Sequence, residues 1–365
     1  MLKGLNRIWL RAVKRIEKAQ RVTNNKLIKS ILKVQKSAAK PSAKRVVPRL
    51  PKAAKVVAKK RPVPLTQTPG QWLASYYTTS TVPARRMQYC LYWPDNVRSE
   101  LLPLVVMLHG CQQNATDFAQ GCGMNLIAEK NGFAVLYLQQ SLRAHRQRCW
   151  NWYELAADDG EGEAGMIASV IESVRSKYQV DSSRIYIAGM SAGAAMANIV
   201  GVNYPTMFAA IGLHSAPVCG VAHGSIEAFS VMQRGSLKYE SAIQKMKKKI
   251  SPFPVMPAIL LHGSDDNVVR PINLGQLKLQ FMALNELTMT NAQAPILKPA
   301  NRGGKAHTLE NFYVGKKLLL KVCTIAGLGH AWSGGDCALA YNACGGPDAS
   351  KMMWAFFSKH RRISA

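Results

Sequence analysis

The chain has 365 residues, 48% of them hydrophobic, which excludes a minimal domain and suits one large α/β domain with an appendage. Its formal net charge of +28 is unevenly spread: residues 1–62 hold twenty Lys/Arg and a single acid, Glu17. No apolar run is long enough to cross a bilayer, and neither Cys-x-x-Cys nor His-Glu-x-x-His is present to suggest zinc.

Residues 1–38 read as a basic amphipathic helix. Leu2, Leu5, Ile8, Trp9, Val13 and Ile16 recur at helical spacing, with Lys3, Arg7, Arg11, Lys14 and Lys18 on the other face. The same charge spacing leaves no uninterrupted apolar core of a secretory signal, so the expectation is a cytoplasmic protein. Residues 37–65 are an Ala/Lys/Pro mixture that suits an extended linker. The division expected is therefore a tail, 1–65, and a folded domain, 66–365. The tail's charge suits an anionic lipid or granule surface, or nucleic acid held through phosphate charge without sequence readout.

Within the domain, strands are predicted at 86–93, 104–108, 134–138, 182–188, 208–213, 258–261 and 317–325. Helices are predicted at 118–130, 162–178, 194–200, 273–284 and 347–359. The alternation gives an α/β fold with a mostly parallel sheet. The Met352, Met353, Trp354, Phe356 and Phe357 stripe reads as core. Residues 220–252 are polar and suit a lid or a surface helix, and 291–305 suit a loop-like insert.

Reactive residues gather at the ends of these strands, where α/β sheets place their chemistry. The run Arg184-Ile185-Tyr186-Ile187-Ala188 leads into Gly189-Met190-Ser191-Ala192-Gly193 and then a small-residue helix. Strand, sharp turn and helix around Gly-x-Ser-x-Gly make a nucleophile elbow, with Ser191 exposed at the turn and the Ala192 N–H facing a developing oxyanion. The strand at 104–108 runs into His109-Gly110-Cys111, which makes the Cys111 N–H the second oxyanion donor. Asp265-Asp266 follows the strand at 258–261. The Gly-x-x-Asp spacing favours Asp266 over Asp265 as the acid. His330 follows the last strand, in Gly327-Leu328-Gly329-His330. The chain order Ser191, Asp266, His330 is nucleophile, acid, base. A serine hydroxyl needs such a base to become a nucleophile, and the base needs a carboxylate to fix its tautomer. His109 and His262 read as turn residues hydrogen-bonded to backbone. The eight cysteines are either reduced and buried or joined in disulfides whose pairing the sequence leaves open. Trp150, Trp152 and Tyr153 suit either a substrate wall or satellite core.

Six blocks in order are similar to the esterase family of polyhydroxybutyrate (PHB) depolymerases, which includes feruloyl and acetylxylan esterases. They are Leu108 to Cys111, Cys149 to Trp152, Gly189 to Gly193, His262 to Val269, Gly329 to Gly335 and Gly346 to Ser350. The resemblance covers about residues 69–360. It implies an α/β-hydrolase fold and a serine esterase working through an acyl-enzyme without metal or cofactor, acting on polyester or on aryl or acetyl esters. It carries the triad onto Ser191, Asp266 and His330, and places Trp152 beside the ester; Trp332 is a further substrate-contact candidate. With no secretion signal or polymer-binding module legible, the tail is expected to dock the enzyme on intracellular polyester granules, against the extracellular setting of many family members. The competing class is a granule- or polyanion-binding protein that uses the hydrolase domain as a scaffold.

Overall fold

Apolar runs of five to seven residues, too short for helices and rich in Val, Ile and Leu, form the middle of one ten-stranded sheet. The computed structural model describes residues 68–80, 84–97, 99–154, 157, 160–218, 220–300 and 304–362. The predicted tail lies outside them.

The strands are β1 (Gln71–Thr78), β2 (Arg86–Trp93), β3 (Leu102–Leu108), β4 (Ala134–Gln139), β5 (Val180–Met190), β6 (Ala210–His214), β7 (Ala258–Gly263), β8 (Ile296–Lys298), β9 (His307–Val314) and β10 (Lys317–Ile325). Their order across the sheet is β1-β2-β4-β3-β5-β6-β7-β10-β9-β8. The run from β4 to β10 is parallel, and antiparallel strands close both edges. A further short pair, β11 (Trp332–Ser333) and β12 (Asn342–Ala343), lies beyond β10.

Each parallel strand is buried on both faces because helices cover both. In β3, Leu104, Val106 and Leu108 join one hydrophobic cluster, and Val105 and Met107 join the other. The first cluster packs under α3 (Gly162–Lys177), α4 (Ala192–Asn203) and α7 (Ile272–Leu284). The second packs under α1 (Ala115–Cys122), α2 (Met124–Asn131) and α8 (Ala349–Phe357). Met353, Phe356 and Phe357 of α8 are buried as core.

The predicted helix over 118–130 is two helices. Gly123, at φ 65°, caps the first by donating its N–H to the Ala119 carbonyl, and it turns the chain into the second. The polar stretch at 220–252 contains α5 (Ser225–Arg234) and α6 (Tyr239–Lys249). The insert at 291–305 contributes β8, and β1 and β9 are edge-side strands that the prediction missed.

Candidate active site

The elbow is built by close approach of backbones. Ser191 alone separates β5 from α4, at φ 56° and ψ −124°, a conformation that a non-glycine residue holds only when its surroundings impose it. A Cβ on Gly189 would stand 2.5 Å from the Gly193 carbonyl carbon, and one on Gly193 would fall on the Leu108 and His109 carbonyls. Both positions therefore require glycine, and the elbow is wedged against the end of β3. The Ser191 N–H donates to the His214 carbonyl at 3.0 Å, which ties it to the end of β6 as well.

Three strand ends supply one hydrogen-bonded line. His330 Nε2 lies 2.9 Å from Ser191 Oγ, and His330 Nδ1–H donates to Asp266 Oδ2 at 2.8 Å. Asp266 Oδ1 accepts the N–H groups of Val268 and Val269 at 3.0 and 2.9 Å, and its side chain is wholly buried. Burial pushes this carboxyl up. The His330 hydrogen bond, the adjacent His330 and His262 rings, and the Val269 N–H outweigh that, and the net shift is below the usual carboxylate range. Asp265 is exposed and accepts from Ser264 Oγ at 2.7 Å, away from this line.

Two N–H groups flank the serine. A Cβ on Gly110 would sit 3.5 Å from Ser191 Cβ, so the Gly110-Cys111 turn packs directly on the hydroxyl side chain. Among the described residues no acceptor takes the Cys111 N–H. Ala192 is the first residue of α4, and its N–H is one of the donors a helix start leaves without an intrahelical partner. A disulfide to Cys149, a bond from the Gln112 N–H to the Gln147 carbonyl at 2.6 Å and one from Tyr341 OH to Gln112 Oε1 at 2.8 Å fix the turn. A second disulfide joins Cys337 and Cys344, and Cys90, Cys122 and Cys323 are buried free thiols.

A strained serine, a histidine within reach of its hydroxyl and a buried acid are the makings of acyl transfer. With that geometry in place, the comparison with known proteins decides the family: the esterase PHB depolymerase model matches residues 87–295. The chain belongs to this family. Poly(3-hydroxyalkanoate) depolymerase C of Paucimonas lemoignei is 30% identical to it over 251 residues, 67% of this chain and 58% of that protein. Probable acetylxylan esterase A of Aspergillus fumigatus is 29% identical over 169 residues, 43% of this chain and 44% of that one. The chain thus spans less than two thirds of the length of these relatives. The acetyl xylan esterase structure from Aspergillus awamori superposes with a TM-score of 0.61 at 20% identity, covering 78% of this chain and 99% of that one, and shares the α/β-hydrolase fold.

In this family member the aromatic residues stand deeper than the sequence reading expected. Trp332 is completely buried. Its Nε1–H donates to Ser350 Oγ at 3.2 Å, its ring stacks on His214 at 5.1 Å and it meets the edge of Phe118 at 5.3 Å. It supports the His330 loop from within and has no surface to offer a substrate, which corrects the expectation. Trp152 is 4% exposed and packs edge-on to Tyr153 in the core. Trp150 is buried and donates to the His109 carbonyl at 3.0 Å.

The buried histidines around the site are neutral scaffolding. His109 Nδ1–H donates to the Gly110 carbonyl at 2.8 Å while Nε2 accepts the Gln140 N–H at 3.1 Å; burial lowers its pKa to about 4. His262 Nε2–H donates to the Val269 carbonyl at 2.8 Å, and burial lowers its pKa too. His214, which the sequence reading passed over, joins the nucleophile to the histidine loop. Its carbonyl holds the Ser191 N–H, and its Nε2 accepts the Ser333 N–H at 3.2 Å. Burial is the main cause that lowers its pKa to about 3. Its place at the end of β6, next to the elbow strand, was the available signal. Glu163, also unforeseen, accepts from Gln140 Nε2 and from the Asn151 N–H and amide at 2.6, 2.8 and 2.9 Å, so it anchors the Trp150–Trp152 loop. Nothing in its spacing marks it.

Proposed function

We propose that this chain is a serine esterase in which Ser191, His330 and Asp266 form the triad. Ser191 Oγ attacks the ester carbonyl while His330 Nε2 takes its proton. The tetrahedral intermediate collapses as His330 returns that proton to the leaving alcohol, leaving an acyl-serine. Water then repeats the sequence and releases the acid. Asp266 holds the imidazole tautomer and offsets the charge of the imidazolium. The N–H groups of Cys111 and Ala192 receive the oxyanion, each contributing about 3 kcal/mol. The observation that carries the reading is the unbroken line from Asp266 through His330 to Ser191, at 2.8 and 2.9 Å, ending on a serine with φ 56°.

The substrate we propose is a short-chain polyester of the poly(3-hydroxybutyrate) type. Family membership and the resemblance to the Paucimonas depolymerase support it. Acetylxylan is the second reading, supported by the Aspergillus relatives. The two disulfides favour an oxidising, extracellular setting over the cytoplasmic granule, since cytosolic thiols are kept reduced. Among the described residues no helix is long and apolar enough to cross a membrane. The charge of residues 1–62 supports contact with an anionic surface in either setting.

The test is release of 3-hydroxybutyrate from amorphous polymer, and of acetate from acetylated xylan, by the wild type and Ser191→Ala. The wild type should also hydrolyse p-nitrophenyl butyrate, and Ser191→Ala should lose at least about 10⁴ in kcat on it. Retained hydrolysis by Ser191→Ala would remove the serine from the mechanism. Acetate release without hydroxybutyrate release would move the substrate to acetylxylan.

A further inference from the structure

The insertion between β6 and β7 brings one helix to the rim of the site and holds it there at both ends. At the start of α5 the Gly224 N–H donates to the Tyr153 carbonyl at 3.1 Å, in the aromatic loop. At its far end Gln233 Nε2 donates to the carbonyls of Asn267 and Val268 at 3.2 and 2.9 Å, and the Arg270 N–H donates to the Met232 carbonyl at 2.8 Å. Asn267 and Val268 directly follow Asp266, and the Val268 N–H is one of that carboxylate's own donors. Asn273, fully buried, adds bonds to the Val231 and Met232 carbonyls at 3.1 Å. The helix therefore bridges the aromatic loop and the acid loop, a reach of about 15 Å for ten residues.

The outward side of this bridge carries the exposed Ser225, Glu227, Ser230 and Arg234, and among them the large apolar Ile226 and Phe229. Ala228 and Val231 face inward and are buried. Ile226, Phe229 and Gln233 recur at i, i+3 and i+7, so they share one stripe. Gln233 is the member bonded to 267–268, which aims the stripe at the acid loop. Ile226 is 63% exposed and Phe229 41% exposed. Single exposed apolar residues are ordinary. Ile226 and Phe229 stand apart by their place, on one face of the helix that is fastened to both site loops. The stripe also carries no charge. The nearby Glu227 accepts the His223 N–H at 2.8 Å, and the Gln233 amide is already bonded.

Resting on the esterase reading above, we infer that Ile226 and Phe229 form a subsite for the apolar repeat units that flank the scissile bond of a polyester chain. A face of this length extends beyond an acetyl group. An acetylated sugar would instead need polar partners, because buried hydroxyls without hydrogen bonds are costly. An uncharged polyester with short aliphatic branches matches the two apolar side chains of this stripe.

The test uses the full chain. In the Ser191→Ala background, which binds without turnover, adsorption to an amorphous poly(3-hydroxybutyrate) film is compared with and without Ile226→Ser/Phe229→Ser. The double substitution should weaken adsorption at least about tenfold. With Ser191 intact, it should lower the ratio of hydroxybutyrate-trimer to p-nitrophenyl acetate turnover by a similar factor, about tenfold. Ile226→Leu/Phe229→Leu should restore both readouts, and urea denaturation midpoints check that the variants fold. Equal adsorption with and without the substitutions, adsorption by neither, or an unchanged ratio overturns the subsite. Failure of the esterase reading shows separately, as p-nitrophenyl acetate hydrolysis that survives Ser191→Ala.

Discussion

Replacing Asp266 by Asn tests the triad at the position where the sequence offered two adjacent candidates. The asparagine has the same shape, so the choice is which of its atoms faces His330. Asp266 Oδ1 accepts two backbone N–H groups, from Val268 and Val269, and Oδ2 accepts one bond from His330. Turning the amide nitrogen toward the two backbone donors would leave both buried N–H groups without a partner, at about 1–3 kcal/mol each. The amide oxygen will therefore stay with the backbone, and the NH₂ will face His330 Nδ1. A donor there forces the imidazole to present its lone pair at Nδ1 and to carry its proton on Nε2. Nε2 lies 2.9 Å from Ser191 Oγ, so the nitrogen that should accept the hydroxyl proton is already protonated. The expected loss is about 10⁴ in kcat, or roughly 5.5 kcal/mol of barrier, with KM changed by no more than about threefold. Asp265→Asn is the control: its carboxylate is exposed and meets Ser264 Oγ, so kcat should stay within about twofold. Steady-state hydrolysis of p-nitrophenyl butyrate reads both. A loss below tenfold for Asp266→Asn, or an equal loss for Asp265→Asn, would refute the assignment.

Cys149→Ala cuts the covalent tie on the turn that carries the Cys111 N–H while leaving the Gln112–Gln147 backbone bond. It should lower kcat roughly tenfold, part of the value of one oxyanion donor, with KM nearly constant. Because that bridge closes a loop over a sequence separation of 38, its loss should also cost up to about 4 kcal/mol in urea unfolding; an unchanged kcat in a folded variant would rule out the turn as an oxyanion element. Acid should destabilise the fold before it titrates the ordinary carboxylates. Burial lowers His109 to about 4 and His214 to about 3, so between about pH 6.5 and those values the unfolded chain binds more protons than the native one, and stability falls as pH falls. At pH 4.5, two units below the ordinary imidazole value, each histidine contributes up to about 2.7 kcal/mol to that loss. Asp266, held below its ordinary pKa, adds a further loss only below about pH 4, as it becomes protonated. Urea titrations at pH 7, 5.5 and 4.5 read this, and equal stability at all three would contradict the neutral, buried state of these rings.

The centre of the fold was legible because parallel strands buried on both faces become unbroken apolar runs, as in β3, β4 and β7. The edges were not. β1 alternates half-buried and exposed residues with polar or aromatic ones, and β9 mixes His, Thr, Glu and Asn into its eight residues. Neither pattern rises above that of a loop without its neighbour in view. Ser191 and His330 announce themselves through glycines that only a sharp turn requires, and Asp266 through its distance from Gly263. The two tryptophans stayed ambiguous for a physical reason. An aromatic residue beside a catalytic motif serves as well to wedge the loop from below as to meet a substrate above, and composition does not separate the two. Trp332, stacked on His214, is the wedge. The cysteine pairing was closed to the sequence for a similar reason: Cys111 and Cys149 meet only because two loops converge over the elbow.

On the proposed reading, the residues that perform the reaction are distinct from those that choose what reacts. The proposed triad and its proposed oxyanion donors sit at the ends of β3, β5, β7 and β10, fixed by backbone contacts such as Gly193 against Leu108 and by the His214 ring, which bridges one strand end to the next. Ser191 is 8% exposed and the His330 side chain 11%, too little surface to measure the length or polarity of an acyl chain. The exposed apolar side chains of α5 lie on the β6–β7 insertion, and that helix is bonded to residues 267–268, which directly follow Asp266. Substitutions on the outer stripe of α5 can therefore alter substrate choice while the triad distances stay as they are. Substitutions at Gln233 or Asn273, which fasten the helix to the acid loop, should disturb specificity and rate together.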